Sequence, residues 1–283
     1  MPAGGRGLLL MPAGGRAAPT IVRPVPELPS RPASAAPLRG FVIAIDGPSG
    51  SGKSTLARAV ATRAGLRYLD TGAMYRAVTW AARQRGLDLA DTDAVAAMGR
   101  GLDIDLATDP ARRRVAVDGV DVTAAIRDPA LSKVVSAVAT NLAVRAELGA
   151  RQRAVAEAGD VVLEGRDTTT VIAPDADVRV LLTADPQTRL ARRAREVRGA
   201  DDPVALAATH AEVMTRDAHD ATVASFATAA HGVSVVDSSA LSAEQVLAVV
   251  LGLIADAGHC VEPGQLAGSG QPAGSVPTGG SRR

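Results

Sequence analysis

Gly47-Pro48-Ser49-Gly50-Ser51-Gly52-Lys53-Ser54 fits the spacing GxxxxGK[ST], and Thr55 follows it directly. Residue types in this order serve one kind of chemistry. Glycines let successive backbone N–H groups turn inward around phosphate oxygens, and a helix starting at the lysine adds its positive end. Lys53 supplies a mobile point charge for the outer phosphates, and the Ser54 hydroxyl can ligate Mg2+. The chain has 31 basic residues, yet only Lys53 and Lys133 are lysines. A composition that otherwise favours arginine keeps lysine where a triphosphate needs a compact charge rather than a rigid fork. The flanks agree, with Val42-Ile43-Ala44-Ile45 reading as strand and Thr55 onward as helix. Residues 47–55 therefore read as a nucleoside triphosphate site.

The rest of the chain narrows the class. It has no Asn-Lys-x-Asp guanine reader and no long apolar run ending in Asp-Glu. Val161-Val162-Leu163-Glu164 reads as a strand whose terminal carboxylate reaches Mg2+ through water. Scattered arginines around a small P-loop domain suggest transfer to a second, phosphate-bearing substrate. Such an acceptor is already anionic and needs no general base. That suits a chain whose histidines, His210, His219, His231 and His259, follow no ligand spacing and read as helix or tail residues. The stretch Pro186–Gly199 carries Arg189, Arg192, Arg193, Arg195 and Arg198. It reads as a lid whose Arg192 and Arg193 close over the phosphates and exclude water, with Gly199-Ala-Asp-Asp-Pro203 ending the helix as a joint.

These residues need a scaffold, and composition locates it. Residues 1–38 hold 5 Gly and 8 Pro, and residues 257–283 hold 7 Gly and 3 Pro. Both stretches read as disordered tails. The N-terminal one repeats Met-Pro-Ala-Gly-Gly-Arg at 1–6 and 11–16, and Met11 is an alternative start. The central region alternates short β-branched runs with Ala-rich helical stretches. Strands are expected at Phe41–Asp46, Val161–Glu164, Val178–Thr183 and Val233–Asp237, and helices at 53–64, 186–198, 203–218 and 242–255. That alternation argues for an α/β domain with a parallel sheet covered on both faces. Residues 102–122 read as a small antiparallel insertion turned at Asp118-Gly119, expected to serve substrate binding.

Charge and composition exclude other classes. Net charge is +1, and the five aromatics (Phe41, Tyr68, Tyr75, Trp80, Phe226) leave little to stack bases on, so no nucleic-acid partner is expected. The single cysteine, Cys260, cannot form an internal disulfide, and no apolar run reaches the roughly 18–20 residues that span a bilayer. A cytoplasmic monomer with no membrane partner is the expectation.

Several motifs together carry a resemblance. Ile43-Ala-Ile-Asp-Gly-Pro-Ser-Gly-Ser-Gly-Lys-Ser-Thr55, Leu69-Asp-Thr-Gly-Ala-Met-Tyr-Arg76, Val117-Asp-Gly-Val-Asp-Val-Thr123, Ser136-Ala-Val-Ala139, Arg145, Arg151-Gln152-Arg153 and Glu164-Gly-Arg-Asp167 are similar, in order, to bacterial cytidylate kinases. The resemblance runs from about 40 to 255. It implies a P-loop nucleoside monophosphate kinase fold: a five-stranded parallel sheet flanked by helices, with the domain over 39–256, a CMP-binding insertion at about 90–153 and a lid at 186–200. It further implies ATP-dependent, Mg2+-requiring phosphorylation of CMP and dCMP to CDP and dCDP. By this resemblance Ser49, Thr71, Arg76 and Arg166 hold the acceptor phosphate region. Ser136, Arg145 and Asp167 read cytosine, Arg216 lies near the phosphates, and Asp220 holds the ribose. Lys53, Arg166, Arg192 and Arg193 are the expected catalytic cations, with Ser54 and Glu164 on the metal. Two positions depart from the family pattern. Val223 stands where the Arg-Asp-x-x-Asp-x-x-Arg motif ends in Arg, and Thr169 stands where Gly is usual. They motivate an alternative, a nucleotide-binding protein with weak transfer or another small acceptor such as UMP.

Overall fold

The computed structural model describes residues 21–22, 40–224 and 228–259. Most of both expected tails, with Phe226 and Cys260, lies outside these. Among the described residues the strands are β1 (Ile21–Val22), β2 (Val42–Asp46), β3 (Arg67–Asp70), β4 (Ile104–Leu106), β5 (Val115–Val117), β6 (Val120–Asp121), β7 (Val161–Gly165), β8 (Val178–Thr183) and β9 (Ser234–Asp237). The helices are α1 (Lys53–Ala64), α2 (Thr71–Gln84), α3 (Thr92–Gly101), α4 (Pro129–Ser132), α5 (Val135–Ala139), α6 (Leu142–Glu157), α7 (Pro186–Arg198), α8 (Pro203–Ala221) and α9 (Ala243–Asp256).

The main sheet runs β1-β9-β8-β2-β7-β3, parallel except for β1, which pairs antiparallel with β9 at the edge. That backbone pairing, Ile21 to Val236 and Val22 to Val235, lies inside the stretch read as a tail. The five parallel strands agree with expectation. Sequence patterning named four of them; β3 was missed, because only Tyr68 and Leu69 of its four residues are buried and α2 follows without a turn.

Alternation along the strands builds two cores. Val42 and Ala44 face the layer that includes α2, α3 and α6, whereas Ile43 and Ile45 face α1 and α9. Val161 and Leu163 join the first layer and Val162 the second. Every residue of β2 and β7 is buried, as central parallel strands require. Side-chain caps set helix starts: Asp70 accepts from the Ala73 N–H, Asn141 from Ala143 and Val144, and Ser242 forms a capping box with Gln245. Gly199, at φ 72°, closes α7 where the sequence placed its end, and α8 runs three residues past the expected Ala218.

β4, β5 and β6 form the expected antiparallel sheet. Asp118 (φ 49°) and Gly119 (φ 79°) turn β5 into β6, both in the left-handed region that a two-residue hairpin turn needs. The insertion's strands do not line the acceptor cavity described below; Val115 and Val117 pack into the core beside α2. Its helices α4 and α5 are the part that reaches the cavity.

Parallel strands end at one edge, and three acids stand there on neighbouring strands: Asp46 on β2, Glu164 on β7 and Asp70 on β3. Asp70 is in register with Glu164. Asp46 is 1% exposed and accepts four hydrogen bonds: from the Thr168 N–H (2.9 Å) and hydroxyl (2.6 Å), and from the Thr169 N–H (2.8 Å) and hydroxyl (2.6 Å). Thr169 therefore fixes the turn after β7 rather than loosening it. Removing a hydroxyl donor from a buried carboxylate costs about 1.5–3 kcal/mol. Thr169→Val should lose that much stability in chemical denaturation, and a loss under about 0.5 kcal/mol would show that the hydroxyl contributes nothing.

Candidate active site

The phosphate cradle is built by close approach. A Cβ on Gly47 would meet the Leu182 carbonyl, and one on Gly50, at φ 75°, would meet the Arg189 carbonyl. Gly52 caps α1 in the left-handed conformation without a side-chain bond, and the first turn of α1 carries no acid. The amides of that turn are thus left for an anion. The Ser51 hydroxyl is buried with no partner in the protein. Uncapped amides, open space at Gly52 and an orphaned buried hydroxyl fit a triphosphate, and Gly47 and Gly50 let the loop pack against the Leu182 and Arg189 carbonyls.

Lys53 points back along this loop, with Nζ 3.4 Å from the Pro48 carbonyl oxygen. Burial, and then the Arg166 charge, lower its ammonium to about 8. Glu164, 2% exposed, accepts from the Tyr68 hydroxyl at 2.9 Å. Burial and the neighbouring Asp70 charge push the Glu164 carboxyl above its usual range, while Lys53 and Ser54 pull it back. Burial also raises Asp70, but the Arg76 guanidinium at 3.0 Å, the Ala73 N–H and the Arg127 and Lys53 charges together outweigh this and hold it low. Two acids on adjacent strands beside Ser54 suit a hard cation. Among the described residues no cluster of three or more His, Cys, Asp or Glu could hold a metal alone. Mg2+ in phosphate sites needs only one or two carboxylates, with phosphate and water completing the shell. The sequence gives Asp70 no role, because β3, whose last residue it is, does not stand out as a strand.

The acceptor side lies across the loop. A cavity of about 250 Å3 opens between α4–α5 and α8, with Ser49, Lys133, Ser136, Arg193, Arg216 and His219 among its walls. Arg145 of α6 pairs with Asp167 and donates to the Ala139 carbonyl at 3.2 Å, with its guanidinium 6.0 Å from the Tyr75 ring centre. Asp167 spends its side chain on Arg145 and not on capping the turn that follows. Burial raises its carboxyl although Arg145 opposes that. The Ser136 hydroxyl lies 3.4 Å from Asp220, which also meets Arg166 at 3.2 Å and Arg216 at 3.7 Å. Burial, then Arg166, lower the Arg216 guanidinium to about 10.

Thr71, Arg192, Arg193 and His219 have the following contacts in the structure. The Thr71 hydroxyl donates to the Glu164 carbonyl at 2.7 Å and ties the start of α2 to β7. Arg192 donates to the Ser238 hydroxyl and carbonyl, both at 2.8 Å, and lies against the loop at Ser51. Arg193 reaches the cavity and pairs with Glu196 at 2.9 Å. His219, read as an ordinary helix residue, is in the cavity wall.

Arg189, Asp217 and Gln152 stand in the sequence motifs, but the sequence gives none of them a role of its own. Arg189 donates to the Ser49 carbonyl at 3.1 Å and to Asp217 at 2.5 Å. Asp217 also accepts from Arg166 at 2.9 Å and from the Ser49 N–H at 3.2 Å. Gln152 is 1% exposed and lies against Tyr75. Arg189 and Asp217 act through contacts distant in the chain, which no local pattern reveals.

The family profile described as cytidylate kinase matches residues 43–256. The cytidylate kinase of Cutibacterium acnes is 48% identical over 217 residues, spanning 76% of this chain and 96% of that one. That of Rhodococcus opacus is 46% identical over 222 residues, 76% and 95% of the two chains. That of Streptomyces avermitilis is 42% identical over 217 residues, 75% and 92%. A glycine-rich loop, a strand-end acid pair and a cavity holding Arg193 and Arg216 thus occur in a sequence that matches the profile through all five parallel strands, and the chain belongs to the cytidylate kinase family.

Proposed function

We propose that the chain transfers the γ-phosphoryl group of ATP to the phosphate of CMP or dCMP, giving ADP and CDP or dCDP. The observation that supports this is Ser49, a residue of the P-loop sequence that also lines the cavity holding Lys133, Arg193 and Arg216. One acceptor phosphate oxygen attacks the γ-phosphorus while the bond to the β,γ-bridging oxygen breaks. No proton need leave the acceptor first, so the task is to hold two polyanions in line and offset their repulsion.

Residues 47–55 would cradle the ATP phosphates, with Lys53 on the outer ones. Ser54 and Glu164, with Asp70 beside them, would hold Mg2+, which when bound neutralises charge on the phosphate oxygens. Ser49, Arg76, Arg166 and Arg216 would bind the acceptor phosphate. Ser136, Arg145 and Asp167 would read cytosine, whose N4 amine suits a carboxylate and whose N3 and O2 accept from Arg. Uracil places O4 against that carboxylate and N3–H against the Arg, so repulsion adds to the lost bonds. Thr169, one of the two residues that motivated a weak-transfer reading, is accounted for by Asp46. Arg189 already brings a guanidinium beside Ser49, although Val223 brings none.

A coupled ADP-release assay with CMP, dCMP, UMP and AMP tests the proposal. Turnover should require CMP or dCMP, and its absence with ATP bound would refute kinase activity. Asp167→Asn should lose about 1–3 kcal/mol of discrimination between CMP and UMP in kcat/KM; unchanged discrimination would move base reading elsewhere. Lys53 supplies a pH test. Its ammonium titrates near 8 beside Arg166, Arg216, Glu164 and Asp217, and phosphate binding must raise it again. Above pH 8 triphosphate binding should therefore take up a proton and weaken as pH rises. Calorimetry at about pH 8.5 in two buffers of different ionisation enthalpy reads this directly; equal heats would place Lys53 away from the phosphates.

A further inference from the structure

The contacts of Asp217 resemble those of a bound phosphate. Its carboxylate accepts from a P-loop amide, Ser49 N–H at 3.2 Å, and from two guanidinium groups, Arg166 at 2.9 Å and Arg189 at 2.5 Å. Ser49 and Arg166 are the groups assigned above to the acceptor phosphate. A backbone amide and two forks around one acid make an anion seat. Arg166 and Arg189 hold the Asp217 carboxyl below the usual range even though burial opposes this.

We propose that Asp217 is a built-in stand-in for the acceptor phosphate, occupying its donors so that only an acceptor carrying a phosphate can displace it. The inference rests on the acceptor-site reading above and adds to it a residue that sets selectivity. A carboxylate offers two oxygens and one charge. A phosphate monoester offers three oxygens and about −1.5 to −2 charges near neutrality. The exchange therefore favours the ester, whereas a nucleoside without phosphate brings nothing to trade for the lost bonds. The cavity, about 250 Å3, is smaller than the roughly 300 Å3 at which small-molecule pockets begin, so admitting a nucleotide calls for movement of its walls. Asp217 sits on α8, the helix that forms one wall. Release of its carboxylate from the P-loop would free that wall at the moment the phosphate takes its place. Asp220, three residues along the same helix face, keeps Arg166 and Arg216 partnered meanwhile.

The competing view is that Asp217 merely fastens α8 to the loop. Other bonds already fasten this helix: Arg198 donates to the Thr209 hydroxyl at 2.9 Å and to Glu212 at 3.0 Å, and Lys133 meets Glu212 at 3.6 Å. The two views predict opposite signs. Asp217→Asn removes the internal anion at nearly constant shape. In the full-length chain, with the cradle saturated by a non-hydrolysable ATP analogue, inorganic phosphate and CMP should bind about tenfold tighter, while cytidine should be unchanged. The KM for CMP should fall without a rise in kcat. Unchanged or weaker phosphate binding overturns the proposal, and so does an equal gain for cytidine, which would mean a loosened cavity. Should the variant not fold, a crystal structure of the unaltered protein with inorganic phosphate at the P-loop decides. The Asp217 carboxylate must have left the Ser49 N–H, and finding it still bonded there overturns the idea. Phosphate carries no base, so its failure counts against Asp217 alone. Tighter phosphate without CMP turnover counts against the cytidylate reading alone.

Discussion

Guanidinium groups gathered in a buried cleft repel one another and lose hydration, and the arrangement holds only where each has an acid partner. Burying an unpaired charge costs several kcal/mol. Here Arg76 meets Asp70, Arg145 meets Asp167, Arg166 meets Asp217 and Asp220, Arg189 meets Asp217, and Arg216 meets Asp220. These acids come from a strand end, the turn after β7 and one face of α8. The fold therefore has to bring separate elements to one place before the cations can be there at all.

The parallel sheet supplies that place. Strands that all run one way release their chain at one edge, and the side chains there are the last of each strand. Register puts Asp70 beside Glu164 and Asp46 beside Gly165. The acids have different duties because their neighbours differ. Asp46 is saturated by four donors from the following turn and is structural. Glu164 has the Tyr68 and Ser54 hydroxyls and a like charge from Asp70, which leaves it the one that gains most from a cation. A Cβ on Gly165 would stand 2.5 Å from the Thr71 hydroxyl, so β7 must end in glycine for β3 to be tied to it.

What could be read from the sequence divides along this line. α1 and α7 lie where patterning placed them, and the P-loop was legible because its chemistry is local: eight consecutive residues carry both ligand and geometry. The edge strand β3 was not legible as a strand, being four residues with a two-residue buried centre. The antiparallel element of the insertion was legible from Asp118-Gly119, but not the division of labour within it: Val115 and Val117 pack in the core, while α4 and α5 reach the cavity. The acid partners were the hardest. Ser49 and Asp217 are 168 residues apart, and an aspartate four turns along an Ala-rich helix looks like any solvated acid until the fold closes. Thr169 was read as a blemish for the same reason, its partner Asp46 being 123 residues away.

The pairing is not complete, and that surplus is where substrate binding draws its energy. Lys53 and Arg216 are both held below their ordinary pKa values, and in each case Arg166 contributes after burial. Cations that titrate low are short of negative charge, so the same two residues report a site that gains when phosphate arrives. Arg166 is near enough to both to repel each, and it pairs with Asp217 and Asp220. A phosphate bound at either side relieves the repulsion felt at the other. The two nucleotides should then favour each other's binding through this one guanidinium, without any contact between their bases. An enzyme that must hold two polyanions end to end meets their mutual repulsion by a prior excess of positive charge placed between them.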